Sequence, residues 1–186
     1  MSSRKKPTEA RDDAPKSARR DDKDGDYAIV GRSVLINRPR QDLYSFWRDF
    51  QNLPKFMEAI ESVRIGTGDA MIWAIKAPAD QTVELETELT SDEPGRSLGW
   101  RSTDTSQIKT VGEVTFVDAP GGRGTIVTAS IAYEPPAGDL GRLVAKVFGK
   151  EPNIQARHEL KRFKMLMETG EIAFSPNHRN KEEAQS

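Results

Sequence analysis

Cysteine is absent from the 186 residues, which removes disulfides, thiolate chemistry and cysteine-ligated zinc together. Histidine is nearly absent: His158 and His178 stand far apart with no spaced carboxylate cluster beside either, so a metal has no ligand set. Excess charge of one sign is missing too. The 28 basic residues almost cancel the 29 acidic ones, and a formal net charge of -1 supplies no global field toward nucleic acid or anionic membrane. No apolar run approaches the roughly 20 residues that span a bilayer, and the N-terminus lacks the apolar core of a signal peptide. These absences predict a soluble, cytoplasmic protein with no metal, no cofactor and no nucleic-acid partner. Stable membrane insertion is excluded on the same grounds, while transient membrane contact and the oligomeric state stay open.

What is present divides the chain into one domain and two tails. Residues 1–26 hold eight Lys/Arg and seven Asp/Glu, and apart from Met1 no aliphatic side chain larger than alanine. Such a segment cannot bury enough apolar area to offset the entropy of ordering it, so it reads as a disordered polyampholyte tail. The polar end, residues 173–186, reads as a second tail. Between them, 27–172, the length suits a single core.

Within that domain the pattern predicts strand, two helices, six strands and a long broken helix. Tyr27–Ile36 is β-rich, and Pro39 opens a helix in which Leu43, Phe46, Trp47 and Phe50 share one face. Asn52-Leu53-Pro54 should stop it, because Leu53 is pushed from the α region by the following proline, and a second helical turn is expected around Lys55–Ala59. Strand character then recurs at Ser62–Gly66, Met71–Lys76, Thr82–Thr90, Ser97–Ser102, Val111–Val117 and Thr125–Tyr133, with short Gly-, Pro- and Asp-rich separators. Connections this short join antiparallel neighbours. Asp139 is a candidate N-cap for a helix carrying Leu140, Leu143, Val144 and Val147. After Gly149 and Pro152 a longer helix runs from about Asn153 to Glu168, with Ala156, Leu160, Phe163 and Met167 on one face and Gly170 as its stop. The expected fold is α+β: a seven-stranded curved antiparallel sheet gripping a long C-terminal helix, with two short helices between strands 1 and 2.

Period-2 alternation marks the inward side of each strand. Val83, Leu85, Thr87 and Leu89 oppose Glu84, Glu86 and Glu88; Gly112, Val114 and Phe116 oppose Glu113 and Thr115; Thr125, Val127, Ala129, Ile131 and Tyr133 oppose Ile126, Thr128 and Ser130. Met71, Trp73 and Ile75 form another inward set, as do Leu98, Trp100 and Ser102. The long C-terminal helix is the element expected to cover this apolar face. By itself the mixture of large and small inward residues favours a closed, filled core over a cavity.

Several separated segments nonetheless resemble one family in the right order: INRPRQDLYSFWRDFQNLPKFM, ELTSDEPGRSLGWRS, APGGRGT, YEPPAG and HELKRFKMLMETGEI. The chain from about Tyr27 to Ile172 resembles the START-like helix-grip superfamily, SRPBCC, and within it the bacterial polyketide cyclase/dehydrase-type proteins. That resemblance implies an internal apolar cavity able to hold a lipid, an isoprenoid quinone, a steroid or a polyketide. It implies ligand contacts from Phe56, Met57, Trp73, Leu85, Thr87, Trp100, Val114, Phe116, Val127, Ala129, Tyr133 and Phe163. It also puts the second short helix at the cavity mouth, with Phe56 and Met57 ahead of Trp47 as contacts.

Chemistry inside that cavity looks sparse. The inward positions offer the hydroxyls of Thr87, Ser102, Thr125 and Tyr133 and neither carboxylate nor histidine, and an unactivated hydroxyl is a poor general base. His158 lies away from the centre of the helical stripe. Glu159, Lys161 and Arg162, like Lys164 with Glu168, read as surface helix pairs. GGRG at Gly121–Gly124 sits between strands, with no helix N-terminus to receive a phosphate. Three functions follow: binding or carriage of a hydrophobic small molecule without catalysis; a polyketide aromatase/cyclase-dehydratase, with Tyr133 or His158 its candidate groups; and a protein-interaction module with a vestigial cavity.

Overall fold

The computed structural model describes residues 28–134, 137–147 and 152–172. Both expected tails lie outside the described residues. The elements are β1 (Ala28–Ile36), α1 (Arg40–Arg48), a 3-10 helix (Phe50–Lys55), β2 (Ile60–Ile65), β3 (Met71–Ala77), β4 (Gln81–Glu93), β5 (Ser97–Ser102), β6 (Lys109–Asp118), β7 (Thr125–Glu134), α2 (Gly138–Val147) and α3 (Pro152–Thr169). The seven strands form one antiparallel sheet in the order β1-β7-β6-β5-β4-β3-β2, so the first strand closes the chain's return beside the last. This is the expected α+β helix-grip arrangement.

Two local expectations need correcting. Pro54 does not stop α1; Asp49 does. Its backbone leaves helical geometry at φ -80 and ψ 87, and its side chain accepts a hydrogen bond from the Gln51 N–H to start the 3-10 helix. Pro54 then sits inside that helix, and the turn expected at Lys55–Ala59 forms earlier, over Phe50–Lys55. A 3-10 turn asks for fewer backbone donors than a continued α-helix, so the missing proline N–H does little harm there. Strand β4 also outruns its expected end at Thr90, because a register shift between Leu89 and Ser91 lets the ladder continue to Glu93 instead of breaking at the polar Ser91 and Asp92.

The apolar face is not covered by the C-terminal helix alone. Leu43, Tyr44 and Trp47 of α1 and Phe50 and Leu53 of the 3-10 helix are all buried against it, beside Leu160 and Phe163 of α3. Trp47, Phe56 and Phe163 stack in one aromatic cluster, with centroids 5.2 Å apart for Trp47 and Phe56, 5.1 Å for Trp47 and Phe163 and 4.8 Å for Phe56 and Phe163. Pairs of this kind add about 0.5–1.5 kcal/mol each beyond their buried area. Tyr44 packs edge-on to Phe116, and its hydroxyl donates to Asp92 Oδ1 while Arg48 Nε donates to Asp92 Oδ2 at 2.7 Å. Burial pushes the Asp92 carboxyl up, but those two hydrogen bonds outweigh it and hold the group below the usual carboxylate range.

The far end of α3 is tied to the start of α1. Asn37 N–H donates to Glu168 Oε1 at 2.7 Å, Arg38 Nε donates to the Met167 carbonyl at 2.8 Å, and Lys164 Nζ donates to the Leu35 carbonyl at 2.6 Å. The Asn37 N–H, with Lys164, holds the Glu168 carboxyl below its ordinary value. At the β6–β7 turn, Gly124 has φ +100, and a Cβ there would lie 2.1 Å from the Ile36 carbonyl oxygen, so only glycine lets the turn pass the end of β1.

Candidate functional site

Between the sheet and α3 lies a cavity of about 150 Å³. Its sheet wall is built from Trp73 and Ile75 of β3, Leu85 of β4, Trp100 of β5 and Ala129, Ser130, Ile131 and Tyr133 of β7. The opposite wall is the face of α3 that carries Gln155, Ala156, Glu159 and Leu160, and the side is closed by Trp47, Leu53, Met57, Ala59 and Ile60. The three tryptophans of the chain, Trp47, Trp73 and Trp100, all belong to this lining.

Each indole is placed by a local device. Trp73 Nε1 donates to Thr87 Oγ1 at 2.7 Å, which satisfies a buried donor and fixes the ring. Trp100 faces Gly112 across the β5–β6 ladder, and a Cβ on Gly112 would come within 2.3 Å of its six-membered ring, so the absence of a side chain there is what lets the indole lie across β6. Phe50 packs edge-on against both, with centroids 5.7 Å from Trp73 and 6.3 Å from Trp100. The Trp47 indole N–H is buried with no hydrogen-bond partner among the described residues, a cost of about 1–3 kcal/mol at the cavity wall.

Of the residues expected to contact a ligand, Met57, Trp73, Leu85, Trp100, Ala129 and Tyr133 lie on the lining. Phe56, Thr87, Val114, Phe116, Val127 and Phe163 do not; they are covered behind it. Alternation identifies the inward face of a strand but not which inward residues a helix then covers, and here α1 seals Phe116 with Tyr44 and Trp47. Trp47 therefore lines the cavity beside Met57, whereas Phe56 does not. Three of the four inward hydroxyls serve the fold: Thr87 holds Trp73, Ser102 Oγ accepts from the Thr110 N–H at 3.1 Å, and Thr125 Oγ1 donates to the Arg38 carbonyl at 2.8 Å, while Tyr133 stays on the lining.

The group that sequence reasoning placed outside is Glu159. It lines the cavity next to Gln155, whose Nε2 donates to Glu159 Oε1 at 3.3 Å. Burial pushes its carboxyl up to about 7, with Glu58 adding to the shift and Gln155 and Arg162 opposing it. At 100° per residue, Glu159 sits about 70° from the centre of the Ala156, Leu160, Phe163, Met167 stripe, on its flank. A flat sheet would leave that flank in water; a curved one wraps it. His158, on the far side of α3, is exposed. Arg162 ties the segment before β2 to α3: its Nε donates to the Phe56 carbonyl at 3.0 Å and its Nη1 to Glu58 Oε1 at 2.6 Å, on either side of Met57.

No group of three or more metal-ligating side chains occurs among the described residues, and none of their helices is long and apolar enough to cross a membrane. None of the curated proteins matches the chain. Among solved structures, the DR_A0006 protein of Deinococcus radiodurans is 37% identical, with 77% of this chain and 100% of that one covered at a TM-score of 0.63. The TTHA0849 protein of Thermus thermophilus is 21% identical over 74% of this chain and 94% of that one, at a TM-score of 0.57. The Zhui aromatase/cyclase of a Streptomyces species has the same TM-score of 0.57 at only 12% identity, covering 79% of this chain and 99% of its own, a likeness of fold alone. Residues 27–168 match the family described as polyketide cyclase / dehydrase and lipid transport, and with a curved seven-stranded sheet gripping α3 around an apolar cavity, the chain belongs to that family.

Proposed function

We propose that the domain binds an apolar small molecule, or the apolar end of a larger one, in the cavity between the sheet and α3, and carries it without transforming it. The observation behind this is the lining itself: three indoles and a ring of aliphatic side chains around about 150 Å³. Cavities of about this size with apolar walls take up a single aromatic ring. A steroid or an isoprenoid quinone would thus leave most of its length outside the enclosed volume.

The test is direct because Trp47, Trp73 and Trp100 report on the cavity through their own emission. Toluene, naphthalene, menadione and myristate should each shift tryptophan emission and raise Tm in proportion to occupancy where they bind. A panel that moves neither signal contradicts the proposal.

Glu159 supports a second reading, an aromatase/cyclase, because a carboxyl near neutrality on a cavity wall suits proton transfer. That reading expects turnover of a poly-β-ketone that is lost in Glu159→Gln. Equal product from both proteins would exclude Glu159 as the acid or base.

A further inference from the structure

The polar side chains of the mainly apolar lining are Ser130 and Tyr133 on β7 and Gln155 and Glu159 on α3. Gln155 and Glu159 stand one turn apart on α3, joined by their 3.3 Å hydrogen bond, and both line the cavity. Taking the cavity as a ligand site, we infer that this pair forms its polar end and that Glu159 recognises an apolar ligand by donating a hydrogen bond to a carbonyl oxygen.

The groups around Glu159 decide between a carbonyl and a cation. On its own helix it meets Gln155 and Arg162; from the segment before β2 it meets Glu58; and Tyr133 of β7 is the other titratable side chain on the lining. Glu58 and Arg162 pair with each other at 2.6 Å, and Arg162 also donates to the Phe56 carbonyl, so the nearest positive charge is engaged elsewhere. The carboxyl is thus taken out of water without a dedicated counter-ion. Its neutral form is favoured up to about pH 7 and carries an O–H to give. A cationic ligand would have to lose its own hydration among indoles and aliphatic side chains, a cost that a single ion pair often fails to recover. A carbonyl compound brings no charge, and it supplies the acceptor that a protonated carboxyl lacks in an apolar wall.

Acetophenone and ethylbenzene have nearly the same shape and differ in the carbonyl. In calorimetric titrations of the full chain at about pH 5.5, acetophenone is expected to bind about tenfold tighter, the worth of one well-made hydrogen bond. At about pH 8.5 that preference should disappear, since an ionised carboxylate only accepts. Glu159→Gln keeps an N–H donor at both pH values and should make the preference independent of pH, whereas Glu159→Leu should abolish the preference at both. Equal affinity of the two compounds at both pH values overturns the assignment while leaving the cavity reading in place. Benzylamine binding more tightly than acetophenone at about pH 8.5 also overturns it, in favour of a cation. If neither acetophenone nor ethylbenzene binds at either pH, the cavity reading fails and the assignment with it.

Discussion

Replacing Glu159 by glutamine should stabilise the protein, and only in neutral and alkaline solution. The carboxyl moves from its ordinary 4.5 to about 7 in the folded chain. Below pH 4.5 it is protonated whether the chain is folded or not, and it costs folding nothing. Between pH 4.5 and about 7 the unfolded chain gives up the proton while the folded chain keeps it, so stability falls as pH rises. Above that window the loss levels off near 3 kcal/mol, at ~1.36 kcal/mol for each tenfold change in proton affinity. Glutamine has the same shape and can keep a hydrogen bond with Gln155, but it has no proton to lose. The variant and the natural protein should therefore unfold together at pH 4. By pH 8 the variant should lead by about 3 kcal/mol, or about 9 °C in Tm at roughly 3 °C per kcal/mol for a chain of this size. Thermal unfolding followed by circular dichroism at both pH values measures it. Carboxylates held low by partners, such as Glu168 and Asp92, change stability on the acid side of pH 4.5 and do not interfere. A Tm difference that is the same at pH 4 and pH 8 would refute the placement of Glu159 in an apolar wall.

Other positions make independent predictions. Gly112→Ala drives a methyl into the Trp100 indole and should cost about 1–3 kcal/mol, read as a lower urea midpoint with an unchanged m-value. Arg162→Met keeps the aliphatic stem but drops the bonds to Phe56 and Glu58, so amide exchange at residues 56–60 should quicken, with a loss of about 1–2 kcal/mol. The depressed carboxyl of Glu168 contributes stability that is present above pH 4.5 and lost as pH falls through its lower folded-state value. Acid unfolding of Glu168→Gln should accordingly show a flatter pH dependence below 4.5 than the natural protein.

The strands were legible because a buried face and a wet face alternate along each of them: Val83, Leu85 and Thr87 are buried while Thr82 and Glu84 are exposed. Turn residues fixed the connections for the same local reason. The break after α1 was misplaced because proline is a strong local signal, whereas the capping by Asp49 depends on where its side chain settles. The site was half legible. Facing inward is a one-dimensional property of a strand, but reaching the cavity depends on what α1 and the 3-10 helix already cover, and this separates Trp100 and Ala129 from Phe116 and Val127. Glu159 was hidden because a charged residue beside Lys161 and Arg162 looks like surface. Only the curvature of the sheet brings the flank of α3 inside.

The central claim is that the space between the sheet and α3 is a binding site. Ala129 lies on its lining, so Ala129→Phe should fill it from the β7 side. Calorimetric titration of toluene into the full chain should show one site per chain, and the same titration of Ala129→Phe should show none while its circular dichroism remains that of the folded protein. Toluene binding that survives unchanged in the folded variant, or fails in the natural protein, would contradict the account.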